Sequence, residues 1–242
     1  DQKSEKRLNE LMILESVPGK KPRTSRANVL GLEFSPDGRY LAGATRPEVA
    51  IWEPGTGSMV RSLPVRQSNV LRFSRDGKWL AIGTFDNSIH LYDVATWTET
   101  RSFGNQVPPT SPTDLDFSPD GQSLVVAAGF GNSVAVFDVA TGVQTQRLAL
   151  DGPSFYAQFS PDGRLLACTS GESVRLYDAG TWKLLRSFSI PIRETAQRLG
   201  VQLYSDPHVS RIRFDPNGRL LAVSTLESRE LSIWDVQTAG RL

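Results

Sequence analysis

The residues with the readiest chemistry in this sequence are few: two histidines, His90 and His208, and a single cysteine, Cys168. A nucleophile needs a base within hydrogen-bond reach, and a metal needs several His, Cys, Asp or Glu side chains converging on one point. His90 shares its strand position with Ala50, Ala135, Arg175 and Ser232. A position that accepts both Ala and Arg is a half-exposed strand face, so no catalytic or metal role is expected there. Cys168, in "LLACTSG", aligns with Gly43, Gly83, Ala127 and Ser224, all small, and reads as a packed thiol. His208 lies in a long connection with no nucleophile placed beside it by pattern. "DLD" puts Asp114 and Asp116 on one strand face, which reads as a solvated edge. "GFG" at 129–131 opens no helix and so makes no dinucleotide loop. Phosphate loops, Cys pairs and the His-Glu-x-x-His pattern are missing from the sequence. The expectation is a non-enzyme without catalytic, cofactor-binding or metal residues.

The elements that carry these residues are announced by one turn written five times. "FSPDGRYLA" (34–42) returns as "FSRDGKWLA" (73–81), "FSPDGQSLV" (117–125), "FSPDGRLLA" (159–167) and "FDPNGRLLA" (214–222). Pro36 presets φ for a type I turn, Asp37 tolerates the next position, and Gly38 accepts the left-handed conformation that starts a bulged return strand. The residue before proline is pushed towards extended backbone, so strand precedes turn. Each copy predicts a hairpin.

The phenylalanines stand 39, 44, 42 and 55 residues apart. In step with them run "VAIWEPGTG", "IHLYDVATW", "VAVFDVATG", "VRLYDAGTW" and "LSIWDVQTAG". The pairs Trp52-Glu53, Tyr92-Asp93, Phe137-Asp138, Tyr177-Asp178 and Trp234-Asp235 fall 18, 19, 20, 18 and 20 residues after their phenylalanines. Repeats of roughly 40–45 residues with an aromatic–acid dipeptide indicate four-stranded propeller blades. Over residues 28–240 the chain resembles the WD-repeat family, in the "FSPDG" style common among its prokaryotic members. The resemblance implies an all-β fold, a β-propeller of four-stranded antiparallel blades with five blades visible.

The blades are placed at 29–65, 70–104, 114–150, 154–190 and 209–242, after an N-terminal extension at 1–10. The last blade lacks a fourth strand, and "LMILESV" (11–17) is a possible closing strand for it. The competing reading of residues 1–16 is an amphipathic helix. Five blades either close into a ring or form an arc whose open faces favour self-association or a partner. The family's usual Gly-His pair is absent, and its turn Asp survives only as Asp86, so packing and ladder hydrogen bonds must hold the blades.

Composition narrows the function. Lys+Arg 27 against Asp+Glu 26 gives a net charge of +1, which provides no general pull towards nucleic acid or anionic membrane. No apolar run reaches the length of about 18 residues that spans a bilayer. One cysteine and no visible leader suit a reducing compartment, and a cytoplasmic location is expected.

Function then falls on surfaces. The resemblance puts the loops joining fourth to first and second to third strands on one face. Three of these are long: 18–28, 104–113 and 190–208. The inserted loop at 190–208 carries "RETAQRLG" (193–200), a predicted short helix with a Gly stop. Candidate partner contacts are Arg193, Arg198, Leu203, Tyr204 and His208 there, with Lys20, Lys21 and Arg23 in the basic loop. Trp97 and Trp182 are further candidates, because they replace Gly in the turn between third and fourth strands. A tryptophan at positive φ is costly, so those two turns are expected to differ from the others, with each ring over its own outer strand near Leu184 or on a partner. Protein partners are expected, with no cofactor and neither membrane nor nucleic acid as ligand. The alternative is an enzyme or small-ligand site at the central channel, where Glu33, Arg72, Asp116, Gln158 and Arg213 form a ring of mixed charge.

Overall fold

The computed structural model describes residues 14–15, 23–24, 29–45, 48–103, 111–203, 207–225 and 230–242. Two short strands come first, β1 (Leu14–Glu15) and β2 (Arg23–Thr24), paired with each other. Leu14 and Glu15, which belong to the segment expected to close the last blade, pair with Arg23–Thr24. The remainder of 11–17, and residues 1–10, lie outside the described residues.

Five antiparallel sheets follow, each in simple up-and-down order. Blade one has β3 (Gly31–Phe34), β4 (Leu41–Ala44), β5 (Val49–Glu53) and β6 (Ser58–Leu63). Blade two has β7 (Ser68–Phe73), β8 (Trp79–Thr84), β9 (Ile89–Asp93) and β10 (Thr98–Phe103). Blade three has β11 (Asp114–Phe117), β12 (Ser123–Ala127), β13 (Ser133–Asp138) and β14 (Gln144–Ala149). Blade four has β15 (Ala157–Phe159), β16 (Leu165–Ser170), β17 (Ser173–Asp178) and β18 (Leu184–Ser189). Helix α1 (Ile192–Leu199) precedes blade five, which has β19 (Arg211–Phe214), β20 (Leu220–Thr225) and β21 (Glu230–Asp235). The chain then doubles back: Arg241 bridges to Trp234 and the Leu242 N–H donates to the Ile233 carbonyl at 3.0 Å, which begins a fourth strand. The protein is a β-propeller.

Two polar turns explain why the strands end where they do. In the first, the Ser35 hydroxyl donates to Asp37 (2.6 Å) and accepts the Tyr40 N–H (2.9 Å), while Asp37 also takes the Arg39 N–H. Ser74/Asp76, Ser118/Asp120 and Ser160/Asp162 repeat the arrangement. Blade five swaps the chemistry: Asp215 stands in the serine position and itself accepts the Arg219 and Leu220 N–H groups. Gly38, Gly77, Gly121, Gly163 and Gly218 all take φ between 70° and 74°, as the turn demands. In the second turn, the acid of the aromatic–acid pair receives the hydroxyl of a threonine three residues on. The pairs are Asp93–Thr96, Asp138–Thr141, Asp178–Thr181 and Asp235–Thr238, with Glu53–Thr56 in blade one. The acid of this dipeptide is therefore a cap.

The core lies between blades rather than within them. The inner-strand phenylalanine of one blade is clustered with aliphatic side chains of the blade before it. Phe73 shares one core cluster with Ala42, Val49 and Ile51, Phe117 with Ile89 and Leu91, Phe159 with Val134 and Val136, and Phe214 with Val174 and Leu176. Each blade needs a neighbour on both sides to bury its apolar surface.

Candidate functional site

The five inner strands β3, β7, β11, β15 and β19 line one cavity of about 300 Å³. The five residues expected to ring the channel all reach it, and Asp114 joins them. Arg72 is the centre. Its guanidinium contacts Asp114 at 3.0 Å, Glu33 at 3.1 Å and Asp116 at 4.0 Å, and its Nε donates to the Leu115 carbonyl at 2.7 Å. Burial opposes the charge on Arg72, but the three carboxylates outweigh it and raise its pKa further. Burial drives Asp114 up, with Arg72 pulling the other way. It drives Asp116, the more weakly paired aspartate, to about 7.

A pattern runs around this ring. In blades two, three and four the residue before the phenylalanine reaches the inner strand of the next blade. Arg72 donates to Leu115, Asp116 accepts the Phe159 N–H at 2.8 Å, and Gln158 accepts the Phe214 N–H at 3.0 Å. Asp114 adds a contact to the Ala157 N–H at 3.3 Å. These side chains tie blade to blade, and most of their hydrogen-bonding capacity is spent doing so. Periodicity located the column; the role of Asp114 was hidden, because "DLD" by itself looks like a solvated edge.

The loop face offers a different surface. Phe130, in the connection between β12 and β13, is 79% exposed. Its ring meets Phe155 edge-on at 5.4 Å, and Phe155 in turn lies against His208 with centroids 4.4 Å apart. Three separate connections between strands thus contribute to one aromatic step. Of its members, only His208 was singled out from the sequence. Phe130 and Phe155 lie 25 residues apart in different loops, and only the ring geometry brings them together.

Helix α1 lies in the same connection as His208, ahead of blade five. Ile192 and Ala196 are buried, and Ile192 joins Ile190 and Val209 in the seam between blades four and five. Gly200, at φ 67°, ends the helix, and the Val201 N–H returns to the Ala196 carbonyl at 2.9 Å. Arg193 reaches Glu172 at 2.8 Å; Arg198 and Leu199 face outward, and Leu203 is half-buried. Tyr204, Lys20 and Lys21 lie outside the described residues, and of Arg23 only the backbone in β2 is described.

The expectation for Trp97 and Trp182 is corrected. Both adopt the left-handed conformation, at φ 55° and 59°, beside Gly57 and Gly142 at 70° and 72°. All four N–H groups donate to the carbonyl of the preceding acid at 2.7–2.8 Å, so the turn is the same. Strain of roughly 1–2 kcal/mol per residue is offset by burial. Each indole packs half-buried against an inter-blade seam, Trp97 edge-on to Tyr40 at 5.1 Å and Trp182 edge-on to Phe159 at 6.4 Å. Half-burying an aromatic of this size removes about 100 Å² from water, worth about 2.5 kcal/mol. Leu184, the expected cover for Trp182, is exposed.

Cys168 is fully buried, and burial pushes its thiol up, so it packs and does not react. His90 Nδ1 meets Glu99 at 2.9 Å on the blade surface. Among the described residues no group of three His, Cys, Asp or Glu is placed to hold a metal. Among the described residues no helix is long and apolar enough to cross a membrane.

The family model described as "WD domain, G-beta repeat" matches residues 57–93, 150–178 and 200–235. An uncharacterized WD repeat-containing protein of Synechocystis is 31% identical over 139 residues, 56% of this chain and 39% of that protein. A transcriptional corepressor of Arabidopsis thaliana, LEUNIG_HOMOLOG, is 25% identical over 224 residues, 89% of this chain and 26% of that protein. The chain spans well under half the length of both. Among solved structures, Kuenenia stuttgartiensis hydrazine synthase superposes with a TM-score of 0.75 at 18% identity, covering 94% of this chain and 69% of that one. At that identity the likeness concerns the fold alone.

Proposed function

We propose that this chain, which carries WD repeats, is a non-enzymatic platform that holds a protein partner on its loop face, within a larger assembly. The observation that carries the reading is the aromatic step of Phe130, Phe155 and His208, built by three separate connections and ending in an exposed phenylalanine ring. Exposed aromatics on a rigid support are the side chains that anchor protein interfaces, since they bury much area at little entropic cost. In the same connection as His208, α1 presents Arg198 and the exposed Leu199, polar and apolar side chains of the kind an interface rim uses. The short turns of the opposite face vary little between blades and offer less to recognise. The channel residues are engaged in joining blades, which leaves them poorly placed for chemistry. The likeness to a corepressor supports a binding reading over a catalytic one.

The test is comparative capture from cells of the source organism, with bound proteins identified by mass spectrometry. A Phe130→Ser/Leu199→Ser variant, altered only at exposed positions, is expected to lose the partners that wild type retains. An Arg164→Ser variant in the opposite face is expected to keep them. Equal recovery by both variants refutes the loop-face reading.

A further inference from the structure

Three of the four seams between the described blades hold a tryptophan on the turn side, and the fourth holds none. Trp97 shares a cluster with Ile51 and Val94, Trp79 with Leu91 and Val139, and Trp182 with Val136 and Ala179. The indoles come from two positions. One lies two residues past the turn glycine, where successive seams read Tyr40, Trp79, Ser123 and Leu165. The other lies four residues past the capping acid, where they read Trp97, Gly142, Trp182 and Ala239. Only the seam between blades four and five lacks an aromatic at both, with Leu165 and Ala239. Ala239 keeps the left-handed turn, at φ 56°, and its N–H donates to the Asp235 carbonyl at 2.8 Å. The backbone that carries an indole at Trp97 and Trp182 is therefore present there without one.

The space is left open. A cleft of about 280 Å³ lies in this seam, near the lower end of the range for small-molecule sites. Leu176 and Val236, the counterparts of the residues clustered with the three indoles, form its wall with Leu165 and Leu185. Arg186 from β18 and Arg219 from the turn before β20 also line it. Both are exposed, and neither guanidinium has a hydrogen bond or ion pair among the described residues. Arg101, the counterpart of Arg186 in blade two, instead donates to the Val139 carbonyl at 3.4 Å. Asp235 lines the cleft too, but its Oδ1 accepts the Thr238 N–H at 2.7 Å and hydroxyl at 2.9 Å. Two cations against one carboxylate leave the mouth positive.

We propose that this cleft binds a small aromatic carboxylate from solution. The ring takes the place that an indole of the chain itself holds in the other three seams, flat against Leu165, Leu176 and Val236. The carboxylate pairs with the guanidinium groups of Arg186 and Arg219, charge-assisted contacts that a neutral ring lacks. The site lies on the turn side, so it is separate from the loop face and from any partner held there.

Isothermal titration calorimetry of the purified chain with indole-3-propionate tests the proposal. One site with a dissociation constant of about 1 mM or tighter is expected, the affinity usual for a ligand of this size. Indole-3-propionamide, which has the same shape without the charge, is expected to bind about fivefold more weakly or worse. Ala239→Trp fills the seam from within, and is expected to stay folded by circular dichroism and to lose binding. The double variant Arg186→Ala/Arg219→Ala, altered only at exposed positions, is expected to weaken the carboxylate about tenfold while leaving the amide within about twofold. No binding at millimolar ligand, binding retained by a folded Ala239→Trp, or equal affinity of wild type for acid and amide overturns the proposal.

Discussion

The Asp116 carboxylate accepts the backbone N–H of Phe159 at 2.8 Å, so a titratable group on blade three holds the inner strand of blade four. Burial raises its pKa from the ordinary carboxylate range to about 7, against the pull of Arg72. The folded protein therefore binds a proton more tightly than the unfolded chain between about pH 4 and pH 7. The stability that this proton provides is fully present below the unfolded value and is lost as pH rises through the folded one. Asp116→Asn keeps an acceptor for the Phe159 N–H and removes the titration. Melting curves from pH 4 to pH 8 are expected to show a flatter pH dependence for this variant, with stability at pH 8 equal to wild type or higher.

The turn aspartates act with the opposite sign. The Ser118 hydroxyl, ahead of the Gln122 N–H, lowers Asp120, and the Thr141 hydroxyl and N–H lower Asp138. Their contribution is present above the unfolded pKa and is lost as pH falls through the lowered folded values. Stability is thus expected to decline on both sides of a mildly acidic optimum. Ser118→Ala removes one hydrogen bond to Asp120 and one from the Ser123 N–H. It is expected to cost about 1–2 kcal/mol in urea denaturation.

Trp97→Gly separates strain from packing. Relief of the left-handed strain contributes in one direction and loss of the contact with Tyr40 in the other. The larger area term is expected to win, for a net loss of about 1 kcal/mol. A variant more stable than wild type would show that the turn geometry, not the indole, dominates.

Most of the blade framework was legible because it is local. "SPDG" and the acid–Thr pair are turns whose hydrogen bonds close within five residues, and they recur in step with the strands. The column of Glu33, Arg72, Asp116, Gln158 and Arg213 was legible because it is periodic. What could not be read was contact between blades. Phe34 and Phe73 sit in near-identical sequence, yet the first is exposed and the second buried, a difference that no local pattern announces. Trp97 misled for the same reason: its local cost was visible and the Tyr40 ring that offsets it was not. Phe130 and Phe155 meet across two loops that no spacing rule connects.

Helix α1 belongs to the seam between blades four and five as well as to the loop face. Ile192→Ala removes a fully buried side chain and is expected to cost about 2–4 kcal/mol. Arg198→Ser, on the outer side, is expected to leave stability within about 0.5 kcal/mol of wild type. Chemical denaturation of the two variants measures both effects, and comparable losses would contradict this division of the helix into an anchored and a free side.

Site-specific photo-crosslinking in source cells tests the central claim most directly. A benzoylphenylalanine is placed at Phe130 on the loop face or at Arg39 in the opposite turn. Both positions are exposed, so neither substitution should disturb the blades. The account predicts covalent adducts to a protein partner from position 130 and none from position 39. Adducts from position 39 alone, or the same adducts from both, would contradict the assignment of the loop face as the partner-binding surface.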